Sequence, residues 1–225
     1  MQKVFISWSG GKDSCLAGYL AITSGLEVCY LANTVTEDGK RSRSHGLPAE
    51  VLQVQSQAIG IPLVQRRTTR DNYEAEFKSM LRTLKAEGVE GGVFGDIDFN
   101  AHREWIDRVC QEVDITPHLP LWEQSQDKIM RDFIALGFEA VVVATKADLL
   151  GEEWLGRKVD LDFIKDLAEL AETKKITPCG EAGEYHTLVT DGPLFKQRLE
   201  IPEANKILKE EHWFLDIAKG GLRAK

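Results

Sequence analysis

The sequence predicts an α/β protein: a parallel sheet sandwiched by helices, followed by a smaller C-terminal α+β domain. Three observations carry that prediction. Short apolar runs alternate with amphipathic segments over the first two thirds of the 225 residues, at the spacing of right-handed β-α-β crossovers. The apolar runs are continuous rather than alternating, as strands covered on both faces require. Glycines stand where the helical periodicity stops, at 25, 60 and 88, and mark helix C-termini.

The elements follow in order. Lys3-Val4-Phe5-Ile6 is the first strand, and a glycine turn leads into a helix over 14–24. A second strand spans 26–33, a helix 48–59, and a third strand starts at Pro62-Leu63-Val64. A long helix covers 72–87, a fourth strand grows from Gly91-Gly92-Val93-Phe94, a helix spans 101–113, and Ile115 begins a fifth extended segment. After about Leu121 the rhythm changes: a helix at 123–136, a strand at 139–144, a helix at 160–172, then a Gly/Glu-rich stretch over 179–195 with no helical period. This places a first domain at 1–121 and a smaller one at 122–225.

Composition excludes several classes. Hydrophobic residues make up 43% and charged residues 28%, enough apolar side chain for a real core and too much for a disordered chain. The formal net charge is −8, which argues against a free-standing nucleic-acid binder. The four cysteines, at 15, 29, 110 and 179, form no CxxC pair. They indicate neither a zinc ribbon nor a redox motif and fit a reducing compartment, with Cys15 and Cys179 as packing residues. The longest purely apolar run, 140–144, is far short of the ~20 residues of a spanning helix, and the N-terminal segment lacks an apolar leader. The expectation is a cytoplasmic protein without a membrane partner.

The most informative residues are Ser9-Gly10-Gly11-Lys12-Asp13-Ser14, directly between the first strand and the first helix. Two glycines let backbone approach a ligand, and the turn with the helix N-terminus offers N–H groups to an anion. Ser9 and Ser14 add hydroxyls and Lys12 a positive charge. Asp13 is an anion beside anions, which makes sense if Mg²⁺ or an oriented water is present. A Walker A loop is excluded by spacing: Ile6 stands where its first glycine belongs, and Asp13 follows the lysine in place of Ser or Thr. The competing reading, a polar turn that only caps a helix, accounts poorly for this many donors at one strand end.

Ser9 to Ser14 resembles the SGGxDS loop of the PP-loop ATP pyrophosphatases, which split ATP to AMP and pyrophosphate on a Rossmann-like, adenine nucleotide α-hydrolase-like sheet. A second segment narrows the resemblance. Cys179-Gly180-Glu181-Ala182-Gly183-Glu184-Tyr185-His186-Thr187, with Asp191-Gly192-Pro193-Leu194-Phe195, Leu119-Pro120-Leu121-Trp122 and Gly137-Phe138-Glu139-Ala140, is similar to the diphthine–ammonia ligase family. That resemblance implies an enzyme that adenylates the carboxylate of diphthine on elongation factor 2 and lets ammonia displace AMP. It implies ATP and Mg²⁺ as cofactors, with free ammonium as the nitrogen source because the chain shows no glutaminase domain.

The resemblance also implies roles. Ser9, Gly10, Gly11, Lys12, Asp13 and Ser14 would hold ATP, with Lys12 balancing phosphate charge and Asp13 holding Mg²⁺. Lys12, Asp13 and Glu184 form the expected catalytic set. Glu181, Glu184, Tyr185 and His186 would face the cleft as the acceptor site, and Trp122 or Tyr185 could receive diphthine's quaternary ammonium. His45, in the loop after the second strand, joins the acceptor candidates. Trp122 as core packing, His45 as a structural histidine, and Lys40, Arg41 and Arg43 as a solvated loop are the bland alternatives. Around the fourth strand the chain departs from the family pattern with Gly95-Asp96-Ile97-Asp98-Phe99. Asp96 could hold Mg²⁺, contact ribose or cap the next helix, and the departure bears on the acceptor more than on the ATP chemistry. Two further function classes compete: a PP-loop pyrophosphatase with another acceptor, and a non-catalytic adenine-nucleotide-binding protein.

Overall fold

The computed structural model describes residues 1–225. The first part is a parallel sheet with helices on both faces: β1 (Lys3–Ser7), α1 (Lys12–Thr23), β2 (Glu27–Val35), α2 (Ala49–Ile59), β3 (Leu63–Arg67), α3 (Tyr73–Ala86), β4 (Gly91–Val93), α4 (Asn100–Val113) and β5 (Thr116–His118). The strand order is β3-β2-β1-β4-β5, all neighbours parallel. β1 shows why its apolar run is unbroken: Val4 and Ile6 enter one core and Phe5 the core on the opposite face.

The second part holds α5 (Gln126–Ala135), β6 (Glu139–Lys146), a single 3₁₀ turn (Glu152–Trp154), α6 (Leu161–Ala171), β7 (Tyr185–Asp191), β8 (Gln197–Lys209) and β9 (His212–Ala224). Its sheet is antiparallel, in the order β7-β6-β9-β8.

Local rules explain most boundaries. α2 closes on Gly60 in the left-handed conformation. Asp160 caps α6 by accepting the Phe163 N–H at 2.9 Å. α5 starts at 126 rather than 123 because Glu123 sits at φ 59°, outside helical backbone. Two larger differences concern the C-terminal part. The Gly/Glu-rich stretch contains a strand, β7, and the last 29 residues form a long hairpin for which the sequence offered no expectation. β8 carries Pro202 and a register irregularity between Glu200 and Glu203, so its strand signal is broken by the residues that guard an edge.

One cluster of 30 buried side chains joins the two sheets, packing Val4, Ile6 and Leu16 with Phe133, Phe138 and Tyr185. A second cluster lies on the other face of the parallel sheet, around Phe5, Phe77, Leu81 and Ile106. A third, around Leu52, Val143, Leu188 and Ile217, seats α2 against the antiparallel sheet.

Candidate active site

The parallel sheet reverses its winding between β1 and β4, and the crevice outside the strands' carboxyl ends at such a point is where α/β sheets bind ligands. A cleft of about 320 Å³ lies there. One wall carries Ser9, Lys12, Asp13 and Ser14 with Asn33 and Thr34 from the end of β2 and Asp96 from beyond β4. The other carries Cys179, Glu181, Tyr185, His186 and Thr187.

The glycine loop is held by the second part of the chain. The Val189 N–H donates to the Gly10 carbonyl at 2.9 Å, and the Lys12 N–H donates to Thr187 Oγ1 at 3.0 Å. Buried Gln55 ties the same region: its Nε2 donates to the carbonyls of Gly10 (3.0 Å) and Val189 (2.8 Å), and its Oε1 accepts from Trp8 Nε1 (2.9 Å). Gly10 has φ +80°, and a Cβ there would stand 2.8 Å from Gln55 Oε1. Both conformation and space demand glycine. Inside the loop the Gly11 N–H donates to Ser9 Oγ (3.2 Å), the Ser14 hydroxyl donates to the Gly11 carbonyl (3.1 Å), and the two hydroxyls share a 3.1 Å contact.

Lys12 is only 3% exposed. Its Nζ donates to both Asp13 oxygens (3.0 and 2.8 Å) and to the Cys179 carbonyl, and it lies 5.4 Å from the centre of the Tyr185 ring. Burial pushes this ammonium toward neutrality, but Asp13, Tyr185 and Cys179 outweigh burial and raise its pKa. It is a fixed cation. Asp13 is raised above the usual carboxylate value by burial, against the pull of Lys12.

The facing loop is strongly differentiated. Glu181 is pushed up to about 7 by burial, with Asp13, Asp98 and Asp96 adding repulsion and Lys12 opposing. Burial pushes the Cys179 thiol up to about 12, so it is no thiolate nucleophile. His45 and His186 stack face to face at 4.5 Å. Burial, His186 and Lys12 hold His45 well below an ordinary histidine. Burial, Lys12 and His212 hold His186 at about 4. At the cleft mouth, a hydrogen bond to Asp96 (3.0 Å) raises the pKa of His102.

Two family models cover the chain. The diphthamide synthase N-terminal domain matches residues 2–117 and the diphthamide synthase C-terminal domain matches 125–222. The chain belongs to the diphthamide synthase family. Among curated family relatives, the diphthine–ammonia ligase of Schizosaccharomyces pombe is 28% identical over 221 residues, covering 90% of this chain and 36% of its own. Those of Rattus norvegicus and Homo sapiens are 26% and 27% identical over 233 residues, covering 93% of this chain and 86% of theirs. The chain therefore spans about a third of the fission-yeast relative and most of the mammalian ones. A solved structure titled as a predicted subunit of tRNA methyltransferase from Methanocaldococcus jannaschii matches 86% of this chain and 98% of its own, at TM-score 0.48 and 16% identity.

Within this family member, nine of the residues singled out from sequence line the cleft: Ser9, Lys12, Asp13, Ser14, His45, Asp96, Glu181, Tyr185 and His186. Four do not. Gly10 and Gly11 form the loop's packed underside. Glu184, expected to face the cleft, is 1% exposed and turned into its own loop, where its oxygens accept the N–H groups of Thr177 (2.6 Å) and Ala182 (2.8 Å). Trp122 lies under the Arg103 guanidinium, 5.5 Å from its ring centre, outside the cleft lining. Two of the three basic loop residues are also occupied: Arg41 binds the Gly46 carbonyl and Asp216, and Arg43 binds Thr68. Sequence reasoning gave no site role to Asn33, Thr34, Gly95 or Thr187, the last two named only within longer segments. Gly95 had a legible signal, a glycine straight after a strand: a Cβ there would stand 2.9 Å from the Asp13 carbonyl carbon, so β4 can end against α1 only with glycine.

Proposed function

We propose that this protein adenylates an acceptor carboxylate with ATP in the cleft, releases pyrophosphate, and forms an amide with ammonia as AMP departs. Family membership makes it an ATP-dependent, amide-forming ligase. The acceptor proposed is diphthine on elongation factor 2, after the name its relatives carry. The observation that carries the site assignment is Lys12: one buried cation touches the nucleotide loop through Asp13 and the facing loop through the Cys179 carbonyl.

A carboxylate is a poor electrophile, and adenylation gives it a leaving group. The protein's task is to align carboxylate and α-phosphate and to neutralise the departing pyrophosphate. Ser9 and Ser14 cradle phosphate oxygens, Gly10 and Gly11 let the loop turn tightly beneath them, and Lys12 balances the phosphate charge. Mg²⁺ fits the donor set. No three His, Cys, Asp or Glu converge as a preformed cage, yet Mg²⁺ binds through one or two carboxylates plus phosphates and water. Asp96 raises the pKa of Asp13, and both raise Glu181, a repulsion that a dication relieves. Asp13 and Asp96 would hold it, and it would offset charge on the leaving pyrophosphate. Diphthine's quaternary ammonium would be received by Glu181 on the facing loop rather than by an aromatic face, since Tyr185 lies beneath Lys12 and Trp122 beneath Arg103.

The test is product analysis by mass spectrometry with ATP, Mg²⁺, ammonium and elongation factor 2 carrying diphthine. AMP, pyrophosphate and diphthamide are expected. AMP and pyrophosphate without diphthamide would move the acceptor to another carboxylate, and no acceptor-dependent AMP would overturn the proposal.

A further inference from the structure

Two imidazoles meet in the cleft, one from each wall: His45 from the loop after β2 and His186 from β7, with ring planes 20° apart. His45 Nδ1 lies 3.1 Å from the Thr187 carbonyl. A carbonyl only accepts, so Nδ1 carries the hydrogen and Nε2 carries the lone pair. This is the one hydrogen bond made by either ring. The same ring packs on the nucleotide loop, where a Cβ on Gly11 would collide with His45 Cε1. A free lone pair is thus fixed beside the phosphate loop and at the edge of the facing loop.

We propose that His45, backed by His186, accepts and returns the proton in the amide-forming half-reaction; this rests on the ligase function above. Ammonia attacks the acyl carbon of the adenylate, the C–N bond forms, and the carbonyl π pair moves to oxygen. His45 Nε2 takes one proton from the new nitrogen cation. The adduct then collapses: the C–O bond to AMP breaks, its electron pair stays on the phosphate oxygen, and His45 returns the proton there. Acyl-adenylate and ammonia become amide and AMP, and the imidazole ends as it began.

The surroundings keep this base unprotonated through the neutral range. His45 faces His186 and Lys12. His186 faces Lys12 and His212, with Glu184 alone opposing. A second positive charge beside Lys12 is disfavoured, so the lone pair stays free for the adduct's proton, and the short-lived imidazolium gives that proton up readily to the departing phosphate oxygen.

His45→Asn separates this role from a structural one. Asparagine keeps an N–H near the Nδ1 position for the Thr187 carbonyl and removes the lone pair at Nε2. The full chain is assayed with ATP, Mg²⁺ and elongation factor 2 carrying diphthine. Acceptor-dependent ATP–pyrophosphate exchange reports adenylation, and diphthamide mass reports amidation. In the variant, amidation falls about a hundredfold, in the range of general acid–base catalysis, and exchange falls far less. Hydroxylamine in place of ammonium gives a more acidic nitrogen cation, which loses its proton to water without a protein base, and recovers most of the loss. In a Glu181→Gln background, which removes the carboxyl that titrates near pH 7 in this cleft, amidation per unit of unprotonated ammonia stays flat from about pH 6 to 8, without the bend an ordinary histidine would give. Equal losses in both half-reactions, in H45N and H186N alike, or no recovery with hydroxylamine, overturn the proposal. A wild type that exchanges pyrophosphate nowhere and makes no diphthamide overturns the ligase function with this acceptor, and the proton role with it.

Discussion

Glu181 and Glu184 lie three residues apart in one loop, and the fold gives them opposite environments. Glu184 is buried with both oxygens accepting backbone N–H groups. Glu181 lines the cleft without a hydrogen-bond partner for its carboxylate and is pushed up to about 7, first by burial and then by Asp13. The consequence for stability has a definite sign. The unfolded side chain titrates near 4.5 and the folded one near 7, so between these values the native chain holds a proton the unfolded chain has lost. Stability from this group is complete below about pH 4.5, declines as pH rises, and is lost above about pH 7. Glu181→Gln removes that decline. Thermal unfolding should show the variant gaining on the wild type between pH 5 and pH 8; parallel curves for the two proteins would refute the assignment. From the sequence Glu184, not Glu181, was the expected catalytic glutamate of GEAGE; what separates the two is which backbone N–H groups the folded loop brings within reach.

The nucleotide loop and β7 behave as one structural unit. The loop's Gly10 carbonyl accepts from Val189, and its Lys12 N–H donates to the Thr187 hydroxyl. Thr187→Val keeps shape and removes the acceptor, leaving a buried N–H unpaired at a cost of about 1–3 kcal/mol. We expect a lower melting temperature and several-fold weaker ATP binding by calorimetric titration, both restored by Thr187→Ser. Unchanged ATP affinity in the valine variant would show that β7 does not position the loop. The parallel sheet was legible because its signals are local: continuous apolar runs, glycine stops, and a loop of unusual composition at a strand end. Of the C-terminal strands only β6 was, from its apolar run at 139–144; the other three were not. β7 follows a glycine- and glutamate-rich turn that conceals its Tyr-His-Thr-Leu-Val-Thr pattern, and β8 and β9 are half-exposed hairpin strands whose structure depends on pairing with each other and with β6. The glycine-loop wall of the cleft was therefore legible in residues 9–14, whereas Thr187 entered only as the last residue of the 179–187 segment, with no role of its own.

At the scale of the molecule, composition and rhythm suggested a boundary near residue 121, and the packing raises the question of whether either side stands alone. The largest core cluster draws from both sides, setting Val4, Ile6, Trp8 and Leu16 against Phe133, Phe138, Tyr185 and Val189. Trp8 is 2% exposed, and its indole N–H is held by Gln55, which in turn holds Val189. Cutting the chain at 121 would uncover the side of this cluster packed by Phe133, Phe138, Tyr185 and Val189 and strip partners from the Gly10 carbonyl and the Lys12 N–H. Lost burial and unpaired backbone act together against a margin of only about 5–15 kcal/mol for a typical protein. The full chain should therefore unfold in one transition with equal calorimetric and van't Hoff enthalpies. Residues 1–121 expressed alone should show no cooperative melt and no ATP-dependent stabilisation. A truncated chain that melts sharply and is stabilised by ATP would mean that the nucleotide loop is ordered by the parallel sheet alone, and the hydrogen bonds from β7 would then serve the acceptor wall only.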